Sequence, residues 1–190
     1  MRAPLSWIEE FVSIPKSVTP EQISDALIRV GFEVEEIIKQ GADLTGPLVF
    51  AKVLSIEELK EHKKPIRYVG LDCGEKETRY VICGATNFDV GDVIVAALPG
   101  ALLPGNFSIG ARETYGKTSN GMICSARELG IGDDHSGIMT FAEGTVAIGA
   151  DAIQGLMIKD VIFDIAVNPD RGYALSIRGV AREVAGALDL

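Results

Sequence analysis

Aromatic side chains make up only 6% of this 190-residue chain, with a single tryptophan. That scarcity argues against a surface that stacks several bases in a row. Cysteine is as sparse: Cys73, Cys83 and Cys124 form an odd, widely spaced set. A disulfide framework or a Cys-x-x-Cys zinc site is excluded, which leaves thiols in a core or a strand. The two histidines, His62 and His135, stand far apart, and no metal cluster is legible. No apolar run approaches the ~20 residues of a membrane-spanning helix. Glu9 and Glu10 interrupt the opening before a signal stretch forms, so the expected location is cytoplasmic. Basic residues are in deficit too, 18 against 27 acidic, for a net charge of −9. A nucleic-acid binder driven by its overall field, with a pI above ~9, is thereby excluded. A local basic patch is not.

What is present describes an ordinary globular chain, 47% apolar and 24% charged, long enough for one full domain or two small ones. Ser6 and Glu9 fit a capping box before the stripe Trp7, Ile8, Phe11 and Val12, which predicts an opening helix. Thr19 as N-cap, Pro20 at the first helical position and Gln22 predict a second. Its Ile23, Ala26, Leu27 and Val30 share a face, and Gly31 closes it. The alternation from Phe32 to Ile38 reads as a strand.

From Gly41 the texture changes to short apolar runs broken by glycine: 48–56, 66–72, 78–83, 93–98, 107–115 and 121–124. Such spacing predicts a small barrel or sandwich, with an OB-fold as leading candidate. One short helix is expected from Ser125, whose capping box with Glu128 ends at Gly130. Past Asp151 a strand at 161–167 and a helix carrying Leu175, Val180, Ala181, Val184 and Leu188 return. Residues 1–40 and 151–190 are each too small to enclose a core. The expected fold is therefore α+β: a small β-barrel at 41–150 inserted into a discontinuous α+β domain, with Leu27, Val30, Ile165, Val180 and Val184 in one core.

Ala111-Arg-Glu-Thr-Tyr-Gly116-Lys117-Thr118 matches a relaxed phosphate-loop pattern. A working phosphate loop opens a helix whose N-terminus faces the phosphates, whereas strand-like residues follow Lys117, so a nucleotide hydrolase is disfavoured. Asp133, Asp134, His135 and Ser136 read as a solvated loop rather than a catalytic cluster with Ser125. Lys60, Lys63, Lys64 and Arg67 form the only dense basic stretch, which reads as a solvated loop or as a phosphate contact at a barrel mouth. Residues 41–150 hold ten basic and fourteen acidic side chains, so any such patch sits on an acidic body.

Ile82-Cys83-Gly84-Ala85-Thr86-Asn87, Val90-Gly91-Asp92, Leu103-Pro104-Gly105 and Ser119-Asn120-Gly121-Met122-Ile123-Cys124-Ser125 together resemble the tRNA-binding OB module of several translation proteins. Leu129-Gly130-Ile131-Gly132-Asp133-Asp134-His135-Ser136-Gly137-Ile138 narrows the resemblance to the beta chain of bacterial phenylalanyl-tRNA synthetases. Leu5-Ser6-Trp7-Ile8, Gly31-Phe32-Glu33-Val34-Glu35, Asp164-Ile165-Ala166-Val167 and Ser176-Ile177-Arg178-Gly179-Val180-Ala181-Arg182-Glu183 look like that chain's first domain, split around the barrel. The stretches His62–Arg67 and Asn168–Ala174 depart from the usual pattern.

The resemblance implies a parent ligase that charges tRNA with phenylalanine, using ATP and Mg2+, as a heterotetramer of two alpha and two beta chains. It implies that catalysis and editing lie elsewhere in that assembly. This chain would be an amino-terminal, non-catalytic part with no cofactor or metal of its own. Its expected role is tRNA binding and scaffolding, with weak affinity when isolated; a purely structural protein-interaction module is the alternative. The expected tRNA contacts are Lys63, Lys64, Arg67, Arg112, Lys117, Ser119 and Met122.

Overall fold

Thr19 accepts a hydrogen bond from the Gln22 amide at 3.2 Å, and the Gln22 side chain accepts from the Thr19 amide at 2.8 Å. This reciprocal capping box starts the helix Pro20–Arg29 in the computed structural model, which describes residues 1–59 and 65–190. The helix ends as the sequence predicts, on Gly31 at φ +92°. There the Phe32 amide reaches the Leu27 carbonyl and the Gly31 amide reaches that of Ile28, a Schellman closure that satisfies the last carbonyls.

The chain divides into two compact units. One comprises Met1–Gln40 with Lys159–Leu190, the other Gly41–Ile158. In the first, the strand Asp160–Ala166 lies between Arg2–Pro4 and Glu33–Gln40, antiparallel to both. The helices Pro20–Arg29 and Ile177–Leu188 contribute to the same core. Leu27, Ile165, Val180 and Val184 are buried together there, with Val30 packed at the margin. Arg171 lays its guanidinium over the Phe32 ring at 4.8 Å and against Gly31, where a β-carbon would meet it at 2.8 Å.

Some local expectations for this unit fail. The opening helix covers only Leu5–Glu9 and has no side-chain cap. The Ser6 hydroxyl donates instead to Asp160 at 2.6 Å, and of the expected stripe only Ile8 is buried while Trp7 and Phe11 are exposed. Leu175 is 67% exposed, because the Pro169–Ala174 turn ends the preceding segment before the Ser176 cap starts the helix.

The second unit is built on antiparallel strands in the order Met122–Ile123, Val93–Ala97, Leu48–Glu58, Arg67–Asp72 and Arg79–Cys83, with Thr140–Phe141 also on Val93–Ala97. Arg79–Cys83 packs back against Lys117–Asn120 and Met122–Ile123, which nearly closes the sheet into a barrel of the OB type. Val93–Ala97 is buried at every position, as its uninterrupted apolar sequence demands. Val53, Val69, Leu71, Val81, Ile94 and Ile123 fill the barrel interior. Leu48, Phe50, Val93 and Val95 face a second core beneath Leu103, Ile109, Ala152 and Ile158.

That second core moves the domain boundary. The short helix Ala152–Gly155 packs on Leu48–Glu58, and a β-carbon at position 155 would sit 2.5 Å from the Phe50 ring. Residues 151–158 therefore belong with the barrel, and the border lies at 158 rather than 150. Two further expectations change. The run 107–115 is two separate strands, Phe107–Ser108 and Ala111–Thr114. Ser125 and Glu128 do form their capping box, with the Ser125 amide on the Glu128 carboxylate at 2.6 Å, but the turn ends at once on Gly130 at φ +70°. Among the described residues no helix is long and apolar enough to cross a membrane.

Candidate functional site

The phosphate-loop-like run folds as a hairpin. Ala111–Thr114 pairs with Lys117–Asn120 across Tyr115 and Gly116 at φ +55° and +72°, the two left-handed residues of a type I′ turn. Lys117 thus begins a strand, not a helix. Cross-strand pairing puts Arg112 opposite Ser119 and Thr114 opposite Lys117, so all four side chains leave the same face.

The neighbouring strands present matching outward positions. Glu57 lies opposite Tyr68 and Tyr68 opposite Ile82, while Ser55 lies opposite Gly70 and Gly70 opposite Tyr80. Gly70 leaves room on this face, since a β-carbon there would stand 2.5 Å from the Ser55 hydroxyl and 3.2 Å from the Tyr80 ring. Tyr80 stacks on Tyr68 with centroids 5.1 Å apart and planes 16° from parallel. The Lys117 ammonium lies 4.8 Å over the Tyr68 ring and 3.0 and 3.2 Å from the two Glu57 carboxylate oxygens. Tyr80 is 42% exposed.

Next to this pair, a cavity of about 180 Å³ is lined by Ile82, Phe107, Arg112, Thr114, Ser119 and Met122. The Arg112 guanidinium lies 5.6 Å from the Phe107 ring centre. Phe107 and Met122 also line an adjoining depression with Arg127 and His135. The arrangement offers ring faces, an apolar slot and two cations within one outer face, a combination suited to bases with their phosphates.

The candidate contacts are not equivalent in place. Lys63 and Lys64 lie outside the described residues. Arg112 is exposed, Lys117 half-buried, and Met122 borders both cavities. Arg67 is a correction. Its side chain is only 13% exposed, donating to the Phe88 and Thr86 carbonyls at 2.9 and 3.3 Å and pairing with Glu58 at 3.2 Å. It holds the 86–88 loop and is not a free cation. Ser119 is another correction, being buried with its hydroxyl already accepting from the Ile82 amide at 2.9 Å and donating to the Gly121 carbonyl at 3.1 Å.

Other motif residues have structural roles. The Asn87 side chain donates to the Ile138 carbonyl at 2.9 Å and accepts from the Ile138 amide at 3.0 Å, joining the two most recognisable stretches of the sequence. Asp134 accepts from the Ser136 amide and hydroxyl at 2.9 and 2.8 Å, which holds its carboxyl below the usual range. Burial raises all three thiols, Cys73 to about 11, so they act as core residues.

Sequence reasoning missed Tyr68, Tyr80, Ile82 and Phe107. A signal existed for three of them. In Arg67-Tyr68-Val69-Gly70-Leu71 and Arg79-Tyr80-Val81-Ile82-Cys83, period-two alternation sets Tyr68, Tyr80 and Ile82 opposite the core-facing Val69, Leu71 and Val81.

Comparison with known proteins bears on this face. The family described as "Putative tRNA binding domain" matches residues 48–151, more than half of the chain. The chain belongs to that family. The match spans the strands and hairpin that carry Tyr68, Tyr80, Arg112 and Lys117. Curated relatives named phenylalanine–tRNA ligase beta subunit agree with the resemblance read from the sequence. That of Thermobifida fusca is 51% identical over 98% of this chain, and that of Streptomyces avermitilis is 52% identical over 100% of this chain. The chain spans only 23% of the length of either relative. A crystal structure of a CsaA chaperone protein from Picrophilus torridus overlaps at a TM-score of 0.40 with 13% identity, over 55% of this chain and 88% of that one, too remote to bear on function.

Proposed function

We propose that this tRNA-binding-family chain is the amino-terminal part of a phenylalanine–tRNA ligase beta subunit and that its barrel contributes tRNA binding to the enzyme. On this reading the parent charges tRNA with phenylalanine using ATP and Mg2+, in the cytoplasm, as two alpha and two beta chains. The chain itself supplies an RNA-facing surface and no catalytic group. Tyr80 offers a ring for an unpaired base, Met122 and Phe107 flank the apolar slot, and Arg112 and Lys117 meet phosphates. The observation that carries the reading is the convergence of the stacked tyrosines, Arg112 and Lys117 on one barrel face.

The acidic body sets the strength. With 27 acidic against 18 basic residues, long-range steering opposes a polyanion. Two or three phosphate contacts correspond to a log–log salt slope of about −1.4 to −2.7. Filter binding of a tRNA transcript across a salt series tests this. Weak binding that falls roughly ten- to fortyfold over a fourfold rise in salt is expected. No binding at any salt would reject the reading and favour a structural module.

A further inference from the structure

We infer that Glu57 is a negative determinant of RNA affinity on this face, a carboxylate latch that holds Lys117 over Tyr68 until a phosphate displaces it. The inference rests on the tRNA-binding reading of the same surface.

Glu57 and Glu58 are consecutive, and alternation along their strand sends them to opposite sides. Each takes one candidate cation: Glu57 pairs with Lys117 at 3.0 Å and Glu58 with Arg67 at 3.2 Å. The two pairs differ. Arg67 also donates to backbone carbonyls and lies against Phe88, so it belongs to the scaffold. Lys117 has Glu57 as its hydrogen-bonding partner, at the end of a flexible side chain in a half-exposed setting.

An exposed pair of this kind contributes little to stability and is readily exchanged. A backbone phosphate can take the carboxylate's place, because an ammonium donates to either anion and the counterions that RNA sheds on binding favour the exchange. The Lys117 ammonium lies on the Tyr68 ring, which already stacks with Tyr80. Moving the lysine to a phosphate therefore does two things at once: it forms the ionic contact and uncovers ring surface for a base. A ligand offering only one of the two gains only part of this exchange. Glu57 thereby raises the threshold for binding and favours RNA that supplies a phosphate and an unpaired base side by side.

Six chains decide it: the unaltered protein, Glu57→Gln, Lys117→Ala, the double variant of these two, Tyr80→Ala and Arg112→Ala, each titrated with the same tRNA transcript at one salt concentration. Glu57→Gln should bind about three- to tenfold more tightly, the sum of a released ion pair and a removed repulsion. In the Lys117→Ala background the same substitution should change affinity by less than about twofold, the residue of through-space repulsion. Weaker binding by Glu57→Gln would overturn the latch and make Glu57 a positioning residue for Lys117. An equal gain in both backgrounds would overturn it as well, leaving only bulk charge. If Lys117→Ala, Tyr80→Ala and Arg112→Ala all bind as the unaltered chain does, the tRNA reading of this face fails and the latch with it. A flat response to Glu57→Gln beside losses in those three overturns the latch alone.

Discussion

The Ser119 hydroxyl accepts the amide hydrogen of Ile82 at 2.9 Å and closes the barrel at a seam where, among the described residues, no backbone ladder runs. It also donates to Gly121, so one small side chain fastens Arg79–Cys83 to the strand that leads into Met122–Ile123. Ser119→Ala strands a partly buried amide and should cost about 1–2 kcal/mol in urea unfolding. Loss of tRNA affinity with unchanged stability would instead return Ser119 to the binding surface.

Arg67 is tied to two carbonyls, a carboxylate and a ring. Arg67→Lys keeps the charge but loses the planar fork, and should lower stability by about 1–3 kcal/mol. The salt slope of tRNA binding should not move. A flattened slope at unaltered stability would show that Arg67 contacts phosphate after all.

The buried thiols make the fold sensitive to alkali. Cys73 titrates near 9 when unfolded and near 11 when folded, because burial disfavours the thiolate. The unfolded chain thus releases its proton first. This stabilisation is complete below pH 9 and declines as pH rises to 11, by about 1.4 kcal/mol per pH unit at most. Cys73→Ala should make the fall in urea midpoint between pH 9 and 11 shallower than in the unaltered chain. Parallel curves for the two would contradict the assignment.

Lys117 begins a strand and leans on Glu57, and among the described residues no helix N-terminus or glycine cradle stands behind it. Calorimetric titration with ATP should show no saturable heat, and Lys117→Ala should change nothing. Saturable binding abolished by that substitution would restore the phosphate-loop reading.

Much of the architecture was legible because local chemistry and global fold agree. Thr19, Pro20, Gln22 and Gly31 write one helix completely, and glycine spacing from 41 onward announces short strands. The split domain followed from segments too small to bury a core. The boundary at 158 was not legible, since Gly155 fits against Phe50 only through a contact about a hundred positions distant in sequence. The site was half legible. Basic residues were read as charges, while their partners Glu57, Glu58 and the 86–88 carbonyls are set by cross-strand register. Tyr68 and Tyr80 are separated by a turn and meet only because Gly70 leaves space between them. A composition of 6% aromatics says nothing about two rings gathered on one face.

The most direct test maps the contact itself. Amide resonances of the chain are followed by NMR as a tRNA transcript is added at low salt. Shifts should concentrate at 68–70, 80–82, 107–112 and 117–122, and Tyr80→Ala should weaken binding by about fivefold or more. The helix Ile177–Leu188 should stay unperturbed. Shifts confined to that helix, or affinity indifferent to Tyr80→Ala, Arg112→Ala and Lys117→Ala together, would contradict the assignment of this barrel face to RNA.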